Sequence, residues 1–472
     1  VNQRAMRGKL RWLPLEGLTT ELSLSTSRTL LPFSAYQLSK LDTDTRNYLR
    51  NFDPNIEDDP TNFRTSFDTP GFMNKGSDTG SLKSEYDFGE RLGFTSLTGT
   101  LVLGASSFFI DQFNELDYSP ADIARLDNHE RHAQQSAELR FAGKASQLFG
   151  WDRGVEVVTG FFHYQARYDL LAKVLAGQDL GSYATTNDAA LLASGGRIGS
   201  PLAGAGSLPG LARLRAITAP LLTDGDNYQF QYGQSTRADA LFGQLTWKIT
   251  DRWALTPGLR LGIETKYVDV SGRGNCNSKN ITSTVTGTVG APSQPCLIEQ
   301  LLSASDYQAT DQRRQEHDLS PKLALQYFAD HGVNYYASFA KAAKSGGFNA
   351  LALNASHLQF QGERATTYEV GAKGRFFDRT LTVNLGLYQT DFRNLQVLAF
   401  NGVAFDVGNA AALSRGLEGD FQWITPFRPL RVLGSLGVLD AHYTDYRNGP
   451  APISQGIGAT QDLSGKRVAF AP

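Results

Sequence analysis

The chain has 472 residues, 41% hydrophobic and 19% charged, with a formal net charge of −2 and a mean hydropathy of −0.30. No bulk basic field points to nucleic acid, and no stretch approaches the roughly 20 apolar residues of a membrane-spanning helix. The length exceeds one ordinary soluble domain, yet no shift in composition divides it, so one large unit over residues 1–472 is expected.

Along the chain, short turn signals recur at Pro14-Leu15-Glu16-Gly17, Gly150-Trp151-Asp152-Arg153-Gly154, Thr250-Asp251-Arg252, Ala329-Asp330-His331-Gly332, Phe377-Asp378-Arg379 and Thr425-Pro426-Phe427-Arg428-Pro429. Between them lie long excursions at 28–78, 169–235, 271–312, 344–363 and 446–461. The intervening runs alternate with the period of two that marks strands. Around Thr250, Leu241, Leu245, Trp247 and Ile249 share one face against Phe242, Gln244, Thr246 and Lys248; after the turn, Trp253, Leu255, Leu259, Leu261 and Ile263 oppose Thr256, Arg260, Glu264 and Lys266. A wall carrying Arg260, Glu264 and Lys266 faces inward only if the interior holds water or a polar plug. The apolar wall must then face lipid, and the polar average hydropathy follows from the alternation.

The expected fold is therefore all-β: a transmembrane antiparallel β-barrel of fourteen or fifteen strands, with short periplasmic turns and long extracellular loops. Trp12, Trp151, Trp247, Trp253 and Trp423 all fall in or near a short turn, as interfacial indoles should. The chain opens at Val1 without a signal peptide and stops at Pro472 after a strand-like run, which reads as a barrel truncated at both ends. Short loop helices are expected from Ser119-Pro120-Ala121-Asp122 and Asn187-Asp188.

Candidate sites divide by face and loop. Arg260, Glu264, Glu369, Lys373, Glu418 and Asp420 alternate with lipid-type residues and are expected to face the lumen. Phe33, Tyr36, Phe63, Phe67, Phe72, Phe348 and Phe360 crowd the long loops, where ligand contact and loop-on-loop packing both explain them. Cys276 and Cys296, the only cysteines, share one loop; an oxidising surface favours a disulfide over two free thiols. His129 and His132, three apart with no third ligand nearby, read as surface histidines rather than a metal site. The acidic run Glu57-Asp58-Asp59 reads as a solvated loop, Gly204-Ala205-Gly206 as loop flexibility, and Asn280-Ile281-Thr282 as a sequon only in a eukaryote. No catalytic constellation and no cofactor motif is found, so an enzyme is not expected.

From about Asp318 onward the residues resemble the C-terminal half of the barrel of a TonB-dependent outer-membrane receptor. Lys344-Ser345-Gly346-Gly347-Phe348-Asn349 resembles that family's rim segment after an aromatic-rich strand, here Tyr335 to Phe339. Glu363-Arg364-Ala365-Thr366-Thr367-Tyr368-Glu369-Val370-Gly371-Ala372-Lys373 is similar to its most recognisable strand. Asn384, Tyr388, Asp391, Gln396, Asn409-Ala410, Gly416, Glu418 and Asp462-Leu463-Ser464-Gly465-Lys466 follow in order. The match is moderate around Phe242 to Glu264 and faint before Asp152, and Ala342-Ala343 depart from the family's glycine and aromatic residue.

The resemblance implies a barrel of 22 strands in the outer membrane of a Gram-negative bacterium. It also implies uptake of a scarce, bulky nutrient, a ferric siderophore or other iron complex above all, energised by TonB and its inner-membrane motor through a plug that this chain lacks. Outer-membrane lipid and lipopolysaccharide are the implied surroundings. A passive porin-type diffusion channel and a surface adhesin or secretion barrel are the other classes that such a wall would serve.

Overall fold

The computed structural model describes residues 2–32, 36–38, 40–147, 153–186, 224–276, 298–299, 302, 304–400, 405–427, 429–452, 455 and 459–471. Its strands are β1 (Asn2–Leu15), β2 (Leu18–Pro32), β3 (Phe72–Arg91), β4 (Phe94–Glu115), β5 (Ala124–Ala145), β6 (Val155–Ala176), β7 (Asn227–Lys248), β8 (Trp253–Asn275), β9 (Tyr307–Phe328), β10 (Asn334–Lys344), β11 (Gly347–Phe348), β12 (Gln359–Phe360), β13 (Glu363–Phe376), β14 (Leu381–Phe400), β15 (Phe405–Ile424), β16 (Arg431–Asp445), β17 (Gly449–Pro450) and β18 (Thr460–Gln461). Two helices of about two turns each, α1 (Thr43–Leu49) and α2 (Leu180–Thr186), lie in connections. Fourteen of the strands form one antiparallel sheet in chain order, from β1 to β16; β11 pairs with β12 and β17 with β18 in small ribbons.

Because every neighbour in the sheet is antiparallel and consecutive, connections alternate between its two ends. One end carries the tight links at 16–17, 92–93, 146–154, 249–252, 329–333, 377–380 and 425–430; the other carries 33–71, 116–123, 177–226, 276–306, 345–362 and 401–404. Left-handed backbone closes the tight turns: Leu92 (φ 56°) with Gly93 (φ 82°), and Phe377, Asp378 and Arg379 at 52°, 51° and 67°. The turn at Leu92-Gly93 carries none of the Asn-Gly or Asp-Gly chemistry that announces such links, and the sequence pattern does not mark it.

Directly opposed residues in an antiparallel ladder share a face, so the register traces each wall across the sheet. One row runs Leu101, Leu139, Phe161, Leu241, Leu261, Leu319 across β4 to β9. A second runs Leu325, Ala337, Val370, Leu387, Leu417, Val438 across β9 to β16. Most of these side chains are exposed, Leu241 at 56% and Leu319 at 62%. A continuous uncovered apolar wall is what a lipid-facing surface requires. Trp12, Trp247, Trp253 and Trp423 sit on this wall beside the tight turns, with Trp253 and Tyr327 rings 4.7 Å apart; Trp151 lies outside the described residues.

Strands β4 to β9 have 22 or 23 residues, about twice the 9–11 needed to cross a bilayer. They therefore extend into the stretches read as excursions in the sequence. The chain stays in strands to Pro32, Ala176 and Asn275 and re-enters at Phe72, Asn227 and Tyr307. Above the lipid both faces are wet or covered by loops, so the apolar alternation fades while the ladder continues.

The expected helix at Ser119 is absent. Instead, Ser119 N–H donates to Glu115 Oε1 (2.7 Å) and Ala124 N–H to Asp117 Oδ2 (2.8 Å), so two carboxylates clamp an eight-residue link between adjacent strands. Asn187-Asp188 and Gly204 to Gly206 lie outside the described residues.

Candidate functional site at the loop-side mouth

The six charged residues expected on the inner wall lie on the face opposite the apolar rows. Arg260 opposes Phe242 and Ser320, Glu264 opposes Ala238 and Glu316, Glu369 opposes Ser338 and Tyr388, and Lys373 opposes Asn334 and Asn384. Glu418 opposes Gly386 and Gly437, and Asp420 opposes Asn384 and Ser435. Five of the six are held by neighbours, Glu264 by Lys266. Tyr336 Oη donates to Glu369 at 2.5 Å, Lys373 lies 5.3 Å from the Tyr336 ring centroid, Asn384 donates to Asp420 at 2.9 Å, and Arg260 stands 5.8 Å over the Phe162 ring.

Near the loop end, this polar face receives the segment 345–362 as a strap. Lys266 Nζ donates to the Gly346 carbonyl (2.6 Å) and pairs with Glu264 (2.8 Å); Gly346 N–H donates to Glu316 (3.1 Å), which Arg314 pairs at 2.5 Å. Gln396 donates to the Ser345 carbonyl (2.9 Å), and Asn409 Oδ1 accepts from Gln361 N–H (2.7 Å). The glycines here serve closeness, not unusual dihedral angles. A Cβ on Gly346 would stand 2.5 Å from the Phe360 carbonyl, and one on Gly347 would stand 2.7 Å from the Phe360 ring. Beneath the strap, a cavity of about 360 Å³ is bounded by His132, Tyr164, Tyr168, Gln234, Glu264 and Lys266.

The strap also closes an apolar cluster. Phe348, Ala352, Leu353 and Leu358 pack on Tyr228, Phe230 and Tyr232 of β7 and on Val268 and Val270 of β8. Tyr228 Oη donates to the Ser305 carbonyl at 2.8 Å. The β7 aromatics fall in a stretch that the sequence reading assigns to a long loop, although Tyr228, Phe230 and Tyr232 alternating with Gln229 and Gln231 carry a strand's period.

The aromatic candidates separate by environment. Phe348 is buried at 6% exposure, and Phe360 packs over Gly347; both hold the strap in place. Phe72 opens β3 opposite Phe113, on the same face as Leu82 and hence on the apolar wall, not in a loop. Tyr36 and Phe63 come together with Tyr118, Glu57, Asn62 and Arg64 around a hollow of about 510 Å³, with Phe63 91% exposed and the Tyr36 and Tyr118 rings 5.0 Å apart. Phe67 is exposed beyond this group, and Phe33 lies outside the described residues.

That hollow rests on a folded base. Tyr48 of α1 packs against Tyr183 of α2 (centroids 5.4 Å) and bonds Ser182 at 2.5 Å. Asp58 pairs with Arg46 at 2.8 Å, and the Leu41 N–H holds its carboxyl below the usual carboxylate range. Asp59 accepts from Thr61 and Glu57 from Asn62, so the acidic run is spent on loop architecture.

His129 and His132 lie within β5, and three residues apart on a strand they point to opposite faces. His129 bridges Asp111 (2.9 Å) and Asp127 (3.0 Å), while His132 stacks on Phe108 at 4.9 Å. Among the described residues no acid, histidine or cysteine group has a geometry that would hold a metal. Cys276, just past β8, is disulfide-bonded; Cys296 and the Asn280 sequon lie outside the described residues.

A family model described as TonB dependent receptor-like, beta-barrel, matches residues 20–472. Among solved structures, the chain is similar to the ferric yersiniabactin uptake receptor of Yersinia pestis, with 16% identity and a TM-score of 0.61 over 100% of this chain and 55% of that one. The siderophore receptor of Acinetobacter baumannii gives 14% identity and 0.61 over 100% and 60%, and the ferric-catecholate import receptor of E. coli K12, closed form, gives 14% and 0.53 over 94% and 58%. The chain thus spans just over half the length of these structures. At such identity they establish the fold alone. The match of the family model over nearly the whole sequence, with the charged wall and long-looped mouth built on that fold, places this chain in the TonB-dependent receptor family as β-barrel wall, an outer-membrane protein of Gram-negative bacteria.

Proposed function

We propose that this chain forms the wall and mouth of a receptor that takes up a ferric siderophore or another iron complex, driven by TonB and its inner-membrane motor acting through a plug inside the barrel. On this reading the polar face is the lumen. The observation that carries it is the engagement of that face: Lys266, Arg314, Glu316 and Gln396 spend their hydrogen bonds on an inward-folded strap. A wall of this kind suits contact with folded protein, whereas a passive porin would leave such groups to water. Tyr36, Phe63 and Arg64 at the loop hollow give the flat rings and positive charge that an aromatic, anionic iron chelate would meet.

The test uses the full receptor. Binding of a panel of ferric siderophores is followed by fluorescence quenching, and uptake of labelled iron is measured in cells with and without TonB. Saturable binding weakened about tenfold by Y36A/F63A, with uptake abolished when TonB is absent, is the expected result. Unsaturable uptake that ignores TonB would establish a diffusion channel instead.

A further inference from the structure

We infer that Glu115 and Asp117 form a proton-sharing clamp that positions Tyr118 on the wall of the loop hollow, so that ligand capture there tightens as the medium turns acidic. The inference rests on the reading of that hollow as a ligand site. Tyr118 lines it with Tyr36 and Phe63, and its ring meets that of Tyr36 edge-on, with centroids 5.0 Å apart and planes at 88°. The backbone of Tyr118 is left-handed (φ 55°), a conformation that a bulky side chain takes only where its surroundings impose it.

Two carboxyls impose it. Ser119 N–H is shared by Glu115 Oε1 (2.7 Å) and Asp117 Oδ1 (3.2 Å), Ser119 Oγ donates to Asp117 Oδ1 (2.5 Å), and Ala124 N–H donates to Asp117 Oδ2 (2.8 Å). Tyr118 is thus fixed between two anchored neighbours. Glu115 is only 2% exposed, and its second oxygen, Oε2, is buried without a donor. Two ionised carboxylates converging on one N–H out of water repel each other and leave that oxygen unsatisfied. A proton removes both faults, because a protonated carboxyl supplies the O–H donor that the pair lacks.

The charged groups around the pair do not replace that proton. Arg125 stands directly opposite Glu115 on β5, yet it is committed to Asp122 (3.3 Å) and to Asp224. Asp122 N–H in turn donates to Asp179 (3.0 Å). Asp68, from the connection before β3, adds negative charge that favours the protonated form of both carboxyls. Tyr36 and Tyr183 bring phenols rather than cations, and Asp53, Glu57 and Arg64 line the hollow itself. Burial first, with negative charge after it, raises Glu115 to about 9 and Asp117 to about 6. Both exceed the unfolded values of about 4.3 and 3.9, so the clamp is complete in acid, weakens as the pH rises through the lower value and is lost above the higher. Its loss frees the 116–123 link to leave the left-handed turn, and Tyr118 then parts from Tyr36.

The test uses the full receptor in detergent, with folding checked by heat-modifiable gel mobility. With 4-fluorophenylalanine in place of Tyr118, the fluorine resonance is followed without ligand from about pH 5 to about pH 10, with and without EDTA, a range that spans both steps. Binding of the tightest ferric siderophore of the panel is measured on the wild type and on E115Q/D117N, whose ratio cancels the ligand's own protonation. The resonance should shift with pH in the wild-type background and stay fixed with E115Q/D117N. The ratio of wild-type to double-variant affinity should fall at least about fivefold between about pH 5.5 and about pH 8.5. If the double variant does not fold, E115Q serves alone and should remove the step near 9 while leaving the one near 6. A resonance that ignores pH, a step that vanishes with EDTA, or an affinity ratio constant with pH while Y36A/F63A still weakens binding would each overturn the clamp. Affinity untouched by Y36A/F63A would instead sink the ligand site, and with it the coupling, whether or not the resonance titrates.

Discussion

An arginine placed at Leu259 gives the sharpest test of which wall faces lipid. On β8 the apolar wall runs from Trp253 at the tight-turn rim through Leu255, Pro257, Leu259 and Leu261 to Ile263. Ten residues at about 3.3 Å each, tilted by about 40°, rise roughly 25 Å, the height of the apolar band on such barrels. Leu259 then lies close to mid-height and Ile263 near its upper edge. The flanking cross-strand residues are Gly243 and Pro321, which offer an arginine no polar partner. Leu259→Arg should therefore cost about 2–4 kcal/mol, Leu261→Arg less, and Ile263→Arg about 0–1 kcal/mol. On the opposite wall, Arg260→Ala forfeits mainly its position over Phe162, worth about 0.5–1 kcal/mol. The assay is reversible guanidinium titration of the receptor in phospholipid vesicles, read by tryptophan fluorescence and gel mobility. Equal costs at Leu259 and Arg260, or a cost at Ile263 matching that at Leu259, would refute the assignment of faces.

Gly346→Val should displace the strap at a cost of about 1–3 kcal/mol, since its side chain meets the Phe360 carbonyl and the Arg314 guanidinium; faster hydrogen exchange over 345–362 with unchanged barrel mobility is the expected reading. Burial pushes the Asp117 carboxyl up to about 6. With its folded value above the unfolded value of about 3.9, its contribution to the 116–123 link is full below about pH 4 and declines as pH rises through 6. Burial raises the neighbouring Glu115 carboxyl as well, to about 9, so exchange protection there, corrected for intrinsic rates, should fall as pH rises from about 4 and lose that dependence only in E115Q/D117N, not in D117N alone. Proteolysis without reductant should give one linked fragment containing Cys276 and Cys296 that separates on reduction; separate peptides from the start would rule out their pairing.

What the sequence discloses is set by the solvent each stretch meets. Leu241 to Lys248 and Trp253 to Lys266 cross the bilayer with lipid on one side and a polar interior on the other, and their alternation reads directly. The upper part of β7 has loops on one face and water on the other; its Tyr228, Phe230 and Tyr232 serve a local cluster, so the stretch resembles a loop until its own period of two is noticed. Turn chemistry is legible where Asp or Pro stands with the turn's other residues and faint at Leu92-Gly93, where a single glycine follows a leucine that accepts a left-handed backbone. Aromatic content in loops was legible as a population but not by role. Burial separates Phe348, a packing residue, from Phe63, an exposed one, and burial depends on contacts with strands far away in the chain, β7 and β8 for Phe348.

The mouth's connections are long, yet much of their described length is docked. The strap is fastened by a cluster shared with β6, β7 and β8; α1 and α2 meet through Tyr48 and Tyr183; and Tyr443 and Tyr446 pack with Ala410, Ala412 and Leu463 beside β15 and β16. Each has an aromatic core of its own, so each holds its shape without a partner. Ordering a loop on binding costs free energy that docked segments have already met on folding. A receptor that gathers a scarce solute gains affinity by this route without enlarging its contact surface. On the proposed function, Tyr36 and Phe63 beside Arg64 are presented on a packed support, and selectivity at the mouth would lie in the few side chains around that hollow rather than in loop closure.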